Sequence, residues 1–94
     1  MTDRRIFFRI HAIQRMFERR IFVENVLQAL QYSELIEDYS DNMPHPGGLF
    51  LGKHGKRPIH VVMAENPKED EQVVITVYEP DPLQWKSGFR NRRT

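Results

Sequence analysis

Ninety-four residues, 39% of them hydrophobic and 29% charged, suit one soluble domain built around a single core, over residues 1–94. The absence of cysteine excludes disulfides and thiolate metal sites and fits a cytoplasmic protein. A net charge of +1 conceals strong segregation: residues 4–20 hold six arginines and one acid, 21–52 hold five acids and no Lys or Arg, and 82–94 hold Lys86, Arg90, Arg92 and Arg93 with no acid.

In chain order, residues 1–3 are expected to fray and Ile6 to Ile10 to form a short strand or lead-in. No apolar run reaches membrane-spanning length, and the Arg-rich start lacks a signal-peptide core. From His11 to Arg19, Ala12, Ile13, Met16 and Phe17 follow the i, i+3, i+4 spacing of a helix with one buried stripe. His11, Arg15 and Arg19 stack along another side, as a solvated ladder or an anion contact near the positive helix start. Arg20 to Phe22 reads as a turn, and Val23, Val26, Leu27 and Leu30 mark a second helix to Tyr32 without a good N-cap.

Leu35 to Tyr39 has strand period, the proline- and glycine-rich residues 40–48 break regular structure, and Leu49 to Gly52 is a short strand. Two β-rich runs follow, Ile59 to Ala64 and Val73 to Glu79, separated by a polar loop around Asn66-Pro67, the composition of an antiparallel hairpin. Side chains alternate across a sheet, so the register that buries most hydrocarbon puts Ile59, Val61, Met63, Val73, Ile75 and Val77 on one face. His60, Thr76 and Tyr78 then share the other. Pro80 and Pro82 end the strand, and Trp85 and Phe89 anchor a basic C-terminal segment.

The expected class is α+β: two N-terminal helices on one face of a three- to four-stranded antiparallel sheet whose other face stays partly open. His45, His54 and His60 lack zinc-site spacing, no glycine-rich phosphate loop or GxSxG elbow exists, and the acidic 65–71 loop lacks calcium-ligand spacing, so no metal or cofactor is expected.

HAIQRMFERRI (11–21), IEDY with PGGLFLG (36–52), RPIHVV (57–62), ITVYEPDPLQW (75–85) and FRNRR (89–93) together resemble the bacterial family known as domain of unknown function 4258. That family is similar in organisation to the small RelE-like and barnase-like toxin ribonucleases. The resemblance implies a metal-independent RNA-cleaving or RNA-binding domain, with a cognate antitoxin-type protein as a further partner. The candidate catalytic residues are His60, Tyr78, Arg15, His11 and Glu79, and the candidate nucleic-acid contacts are Arg19, Arg57, Arg90, Arg92 and Arg93. His60 is an acid or base because imidazole titrates near neutrality, Tyr78 orients a phosphate, stacks on a base or donates a proton, and Glu79 is an alternative base. Against these stand blander readings: a structural hydrogen bond for His60, packing for Tyr78 and Trp85, and arginines paired with the protein's own acids. A non-catalytic RNA- or protein-binding module, or self-association through a strand edge or the Leu49 to Leu51 strand, are the other readings.

Overall fold

The computed structural model describes residues 5–41, 45–66 and 68–93. The expected fraying of residues 1–3, Arg4 of the N-terminal arginine group, and Pro44 and Pro67 of the two loops lie outside the described residues. The elements run β1 (Arg5–Phe8), α1 (Ile10–Glu18), α2 (Val23–Gln31), β2 (Glu34–Tyr39), β3 (Gly47–His54), β4 (Arg57–Asn66) and β5 (Glu71–Tyr78). They form an α+β arrangement whose five-stranded sheet has the order β1-β5-β4-β3-β2.

Two features of the sheet correct the sequence-based expectation. There are five strands rather than three or four, and the sheet is mixed, because β1 pairs with β5 in parallel, Arg5 opposite Glu71 and Phe8 opposite Val74. A two-helix crossover carries the chain from one sheet edge to the other, so the N-terminal strand is free to run alongside the last one. The partner of a four-residue strand so distant in sequence cannot be read from its own side chains.

Both helices lie on one face. Ala12 and Met16 of α1, Ile21, and Val26 and Ala29 of α2 pack on Ile59, Val61, Met63, Val74 and Val77. α1 stops in a Schellman arrangement: Ile21 N–H donates to Met16 O at 2.9 Å, Arg20 N–H to Phe17 O at 3.2 Å, and Arg20 takes the left-handed φ of 58° usually left to glycine. The Arg57 guanidinium then donates to the Arg19 and Arg20 carbonyls, both at 3.1 Å, placing a cation at the negative end of α1. At the start of α2 the missing cap residue is replaced from inside the helix, since Asn25 Oδ1 accepts the Phe22 N–H at 2.9 Å.

The hairpin register places His60 opposite Tyr78 and Val61 opposite Val77, as the alternation predicts. Beyond Thr76 a bulge intervenes, and Met63 faces Val74. The extra residue switches the face of everything before it, so Val74 is buried against the helices while Val73 and Ile75 are half-buried.

The opposite face is not open, a second correction. Residues 84–93 fold over it as a small hairpin in which Trp85 and Arg92 form a β-bridge, Arg93 N–H donates to Gln84 O and Lys86 N–H to Asn91 O, both at 2.8 Å. Under this strap lie Leu49, Leu51, His60 and Trp85, all buried. Leu49 and Leu51 belong to an inner strand, so that strand offers no self-association surface.

Candidate functional site

His60 sits on β4 between β3 and β5, and its ring has no solvent exposure. Its Nε2 lies 2.9 Å from the Phe89 carbonyl oxygen, which only accepts, so Nε2 carries the proton. The Nδ1 of the neutral ring is then an acceptor, and the Tyr78 hydroxyl, 3.3 Å away, donates to it. Trp85 packs edge-on at 4.4 Å and Tyr78 at 5.3 Å between ring centres. The Phe89 carbonyl reaches the imidazole because the strap turns sharply through Gly88 and Phe89, at φ 86° and 59°. Burial pushes the His60 pKa down, opposed by the Phe89 hydrogen bond and by Glu37 and reinforced by Arg92. Burial likewise raises that of Tyr78. The pair is therefore a neutral phenol donating to a neutral imidazole.

Around this pair the C-terminal arginines meet the acidic strand β2. A bulge at Ile36 sets Glu34 opposite Leu51 and Glu37 opposite Leu49, bringing both carboxylates to the His60 face although they are three residues apart. Arg92 grips Glu37 with two bonds, 2.7 and 3.0 Å, and its guanidinium lies 4.6 Å from the Trp85 ring centre. Tyr39 adds a 2.5 Å bond to the same carboxylate. The Arg92 bond holds the Glu37 carboxyl below the usual carboxylate range, and burial with the Glu37 contact raises the Tyr39 phenol. Arg90 pairs with Glu34 at 2.8 Å, and Arg93 donates to the Pro82 and Trp85 carbonyls at 2.8 and 3.1 Å.

A cleft of about 440 Å³ opens where α1 ends beside the end of β5, lined by Arg19, Ile21, Arg57, Tyr78 and Glu79. Arg19 donates to the Val77 carbonyl at 2.7 Å, beyond the reach of β1, and Arg57 forms an ion pair with Glu79. The fold thus gathers Arg19, Arg57, Tyr78 and Glu79 in one place, with His60 directly behind Tyr78. It does not bring the other named residues there. His11 and Arg15 are exposed on α1, Arg15 paired with Glu18 at 3.5 Å, and Arg90, Arg92 and Arg93 belong to the strap. The basic tail is consequently no free cationic surface. Glu37 and Tyr39 carry much of the buried polar network and escape the sequence reading, since nothing in the run ELIEDY signals the bulge.

Among the described residues no group of three or more His, Cys, Asp or Glu is placed to hold a metal ion, and no helix is long and apolar enough to cross a membrane.

Two helices on one face of a five-stranded mixed sheet, with a polar cleft at the sheet's edge and a strap on the other face, define the class of domain. Residues 8–79 match the family described as Domain of unknown function (DUF4258), and the chain belongs to that family. The match ends at Glu79, so the strap lies beyond it. No curated protein and no solved structure matches the chain.

Proposed function

We propose that this domain acts on RNA without a metal and that the phosphodiester enters the cleft formed by Arg19, Arg57, Tyr78 and Glu79. One observation carries the reading: residues separated by up to sixty positions, each an RNA-chemistry type, line a single cleft whose phenol is backed by a buried imidazole. Glu79 takes the proton of the 2′-hydroxyl as its oxygen attacks phosphorus, Arg19 and Arg57 offset the charge gathering on the phosphoryl oxygens, and Tyr78 gives its proton to the departing 5′-oxygen. His60 touches no substrate, being sealed. It is a positioning residue that fixes the direction of the Tyr78 hydroxyl. The toxin-type, RelE/barnase-like ancestry implied by the sequence belongs to the same proposal, supported by the helix pair on a largely antiparallel sheet, with the parallel β1 as its departure.

The test is cleavage of a labelled RNA by the purified protein in excess chelator. Tyr78→Phe is expected to lower cleavage about a hundredfold with RNA retention unchanged, and Arg19→Ala to weaken both. Cleavage indifferent to Tyr78→Phe overturns the assignment. Salt-sensitive retention with no cleavage by the parent protein leaves a binding module instead.

That second reading has an observation of its own. The helix layer exposes large apolar side chains that a nuclease cleft does not need, which favours a protein partner, of the antitoxin type if the toxin reading holds.

A further inference from the structure

Ile10, Ile13 and Phe17 fall at i, i+3 and i+7 on α1, yet Ile10 is 73% and Phe17 82% exposed. On α2, Phe22 at 61%, Val23 and Leu27 form a comparable exposed patch. Helical phase fixes where these patches point. On α1 the flank of Arg19 faces the free edge of β5, where it meets Val77 O, so Ile13 and Phe17, on the other side of the buried Ala12–Met16 line, face inward over the sheet. On α2 the flank of Asn25 and Gln28 turns outward, bonded to His54 at 3.1 and 2.6 Å, and Val23 and Leu27 lie on the opposite flank. α1 runs toward Arg57 and α2 runs back. The two apolar flanks therefore face each other above β4, with the buried Ile21 and Val26 beneath.

A groove between antiparallel helices, walled by Phe and Ile on one side and Val and Leu on the other, fits an amphipathic helix laid along it. The electrostatics select its sign. Arg15 answers Glu18, but His11 and Arg20 make no ion pair among the described residues, and Arg20 stands at the end where the two helices meet. We infer that this face is the docking groove for an acidic amphipathic helix of another protein, with apolar residues at i, i+3 or i+4, and i+7 in the groove and carboxylates toward Arg20 and His11. The inference does not depend on what the cleft at Tyr78 does.

The probe is a fluorescein-labelled synthetic helix of about 18 residues, five turns, with leucines on one face and glutamates on the others. Fluorescence anisotropy should show saturable binding to the full chain. Phe17→Asp and Ile10→Asp should each weaken it about tenfold or more, with thermal midpoints unchanged because both side chains are largely in solvent. Arg20→Glu should weaken it less, and a lysine-for-glutamate version of the peptide should bind worse than the parent. Equal binding by the Asp variants, or by the lysine peptide, overturns the proposal. So does a parent chain that sediments as a dimer and becomes monomeric on Phe17→Asp, which would make a second copy the occupant. Binding of phosphatidylserine vesicles or of RNA that Phe17→Asp abolishes, with the acidic peptide unbound, likewise overturns it. Cleavage of RNA by Phe17→Asp, measured in parallel, separates failure here from failure at the cleft.

Discussion

A histidine tolerates full burial on a sheet face only when both ring nitrogens are matched, and at residue 60 the match is made by one chain segment on each side. The Phe89 carbonyl fixes the protonated nitrogen and Tyr78 supplies the donor for the other. A second proton on the ring would lose the Tyr78 bond and place a charge under Trp85, with Arg92 opposing it and Glu37 partly offsetting. The unfolded imidazole titrates near 6.5 and the folded one lower, so between those values the unfolded chain binds more protons. Stability is therefore full above 6.5 and declines as the pH falls from there toward the folded value. Glu37, held below 4.5 by Arg92, adds its own loss at more acid pH, when its carboxylate is protonated. Thermal midpoints measured from about pH 8 to about pH 5 should drop less steeply for His60→Gln than for the parent. Parallel curves would show that His60 does not titrate in this window.

At the scale of elements, the strands and helices follow from spacing, and the exceptions follow from single residues that spacing does not register. The helix pair and the His60–Tyr78 pairing were legible because alternation and the i, i+3, i+4 pattern are strong there. Two bulges were not: Ile36 and the residue between Thr76 and Val74 look like any apolar strand residue, yet each reverses the face of its neighbours. Apolar spacing also overstated burial, since Phe17 fits the core stripe of α1 by phase and lies outside it. Glycine marks the closest approach between layers. A Cβ on Gly52 would stand 2.2 Å from the Ala29 carbonyl oxygen, backbone that moves only if α2 lifts from β3. Gly52→Ala should cost about 1–3 kcal/mol in a urea melt. Gly55→Ala, with nothing within 4 Å but a φ of 62°, should cost only about 1 kcal/mol. A Gly52 variant as stable as the parent would mean that α2 is not seated on β3 as described.

Across the whole molecule, the segregated charge that a sequence reader takes for two opposing surfaces is largely spent inside the fold. The acidic segment contributes Glu34 and Glu37 to one edge of the His60 face, and the basic tail returns to them as Arg90 and Arg92. The sequence shows the two charge blocks but not that the chain brings them together, because the approach depends on the strap's turn at Gly88 and on the bulge at Ile36. The two ion pairs are not equivalent. Arg90 and Glu34 are both half exposed, whereas the Glu37 side chain is 25% exposed and Arg92 also covers Trp85. Arg90→Ala should therefore cost under about 1 kcal/mol and Arg92→Ala about 1–2 kcal/mol. Trp85→Ala, which empties the space under the strap, should cost about 3–5 kcal/mol. Glu37→Gln combined with Arg92→Ala should cost less than the two single changes added, since each removes the same pair. Urea melts of the four variants decide it. If Arg92→Ala and Arg90→Ala cost the same, and the Glu37 and Arg92 changes add, the strap is held by Trp85 alone and its arginines are free to meet an anion.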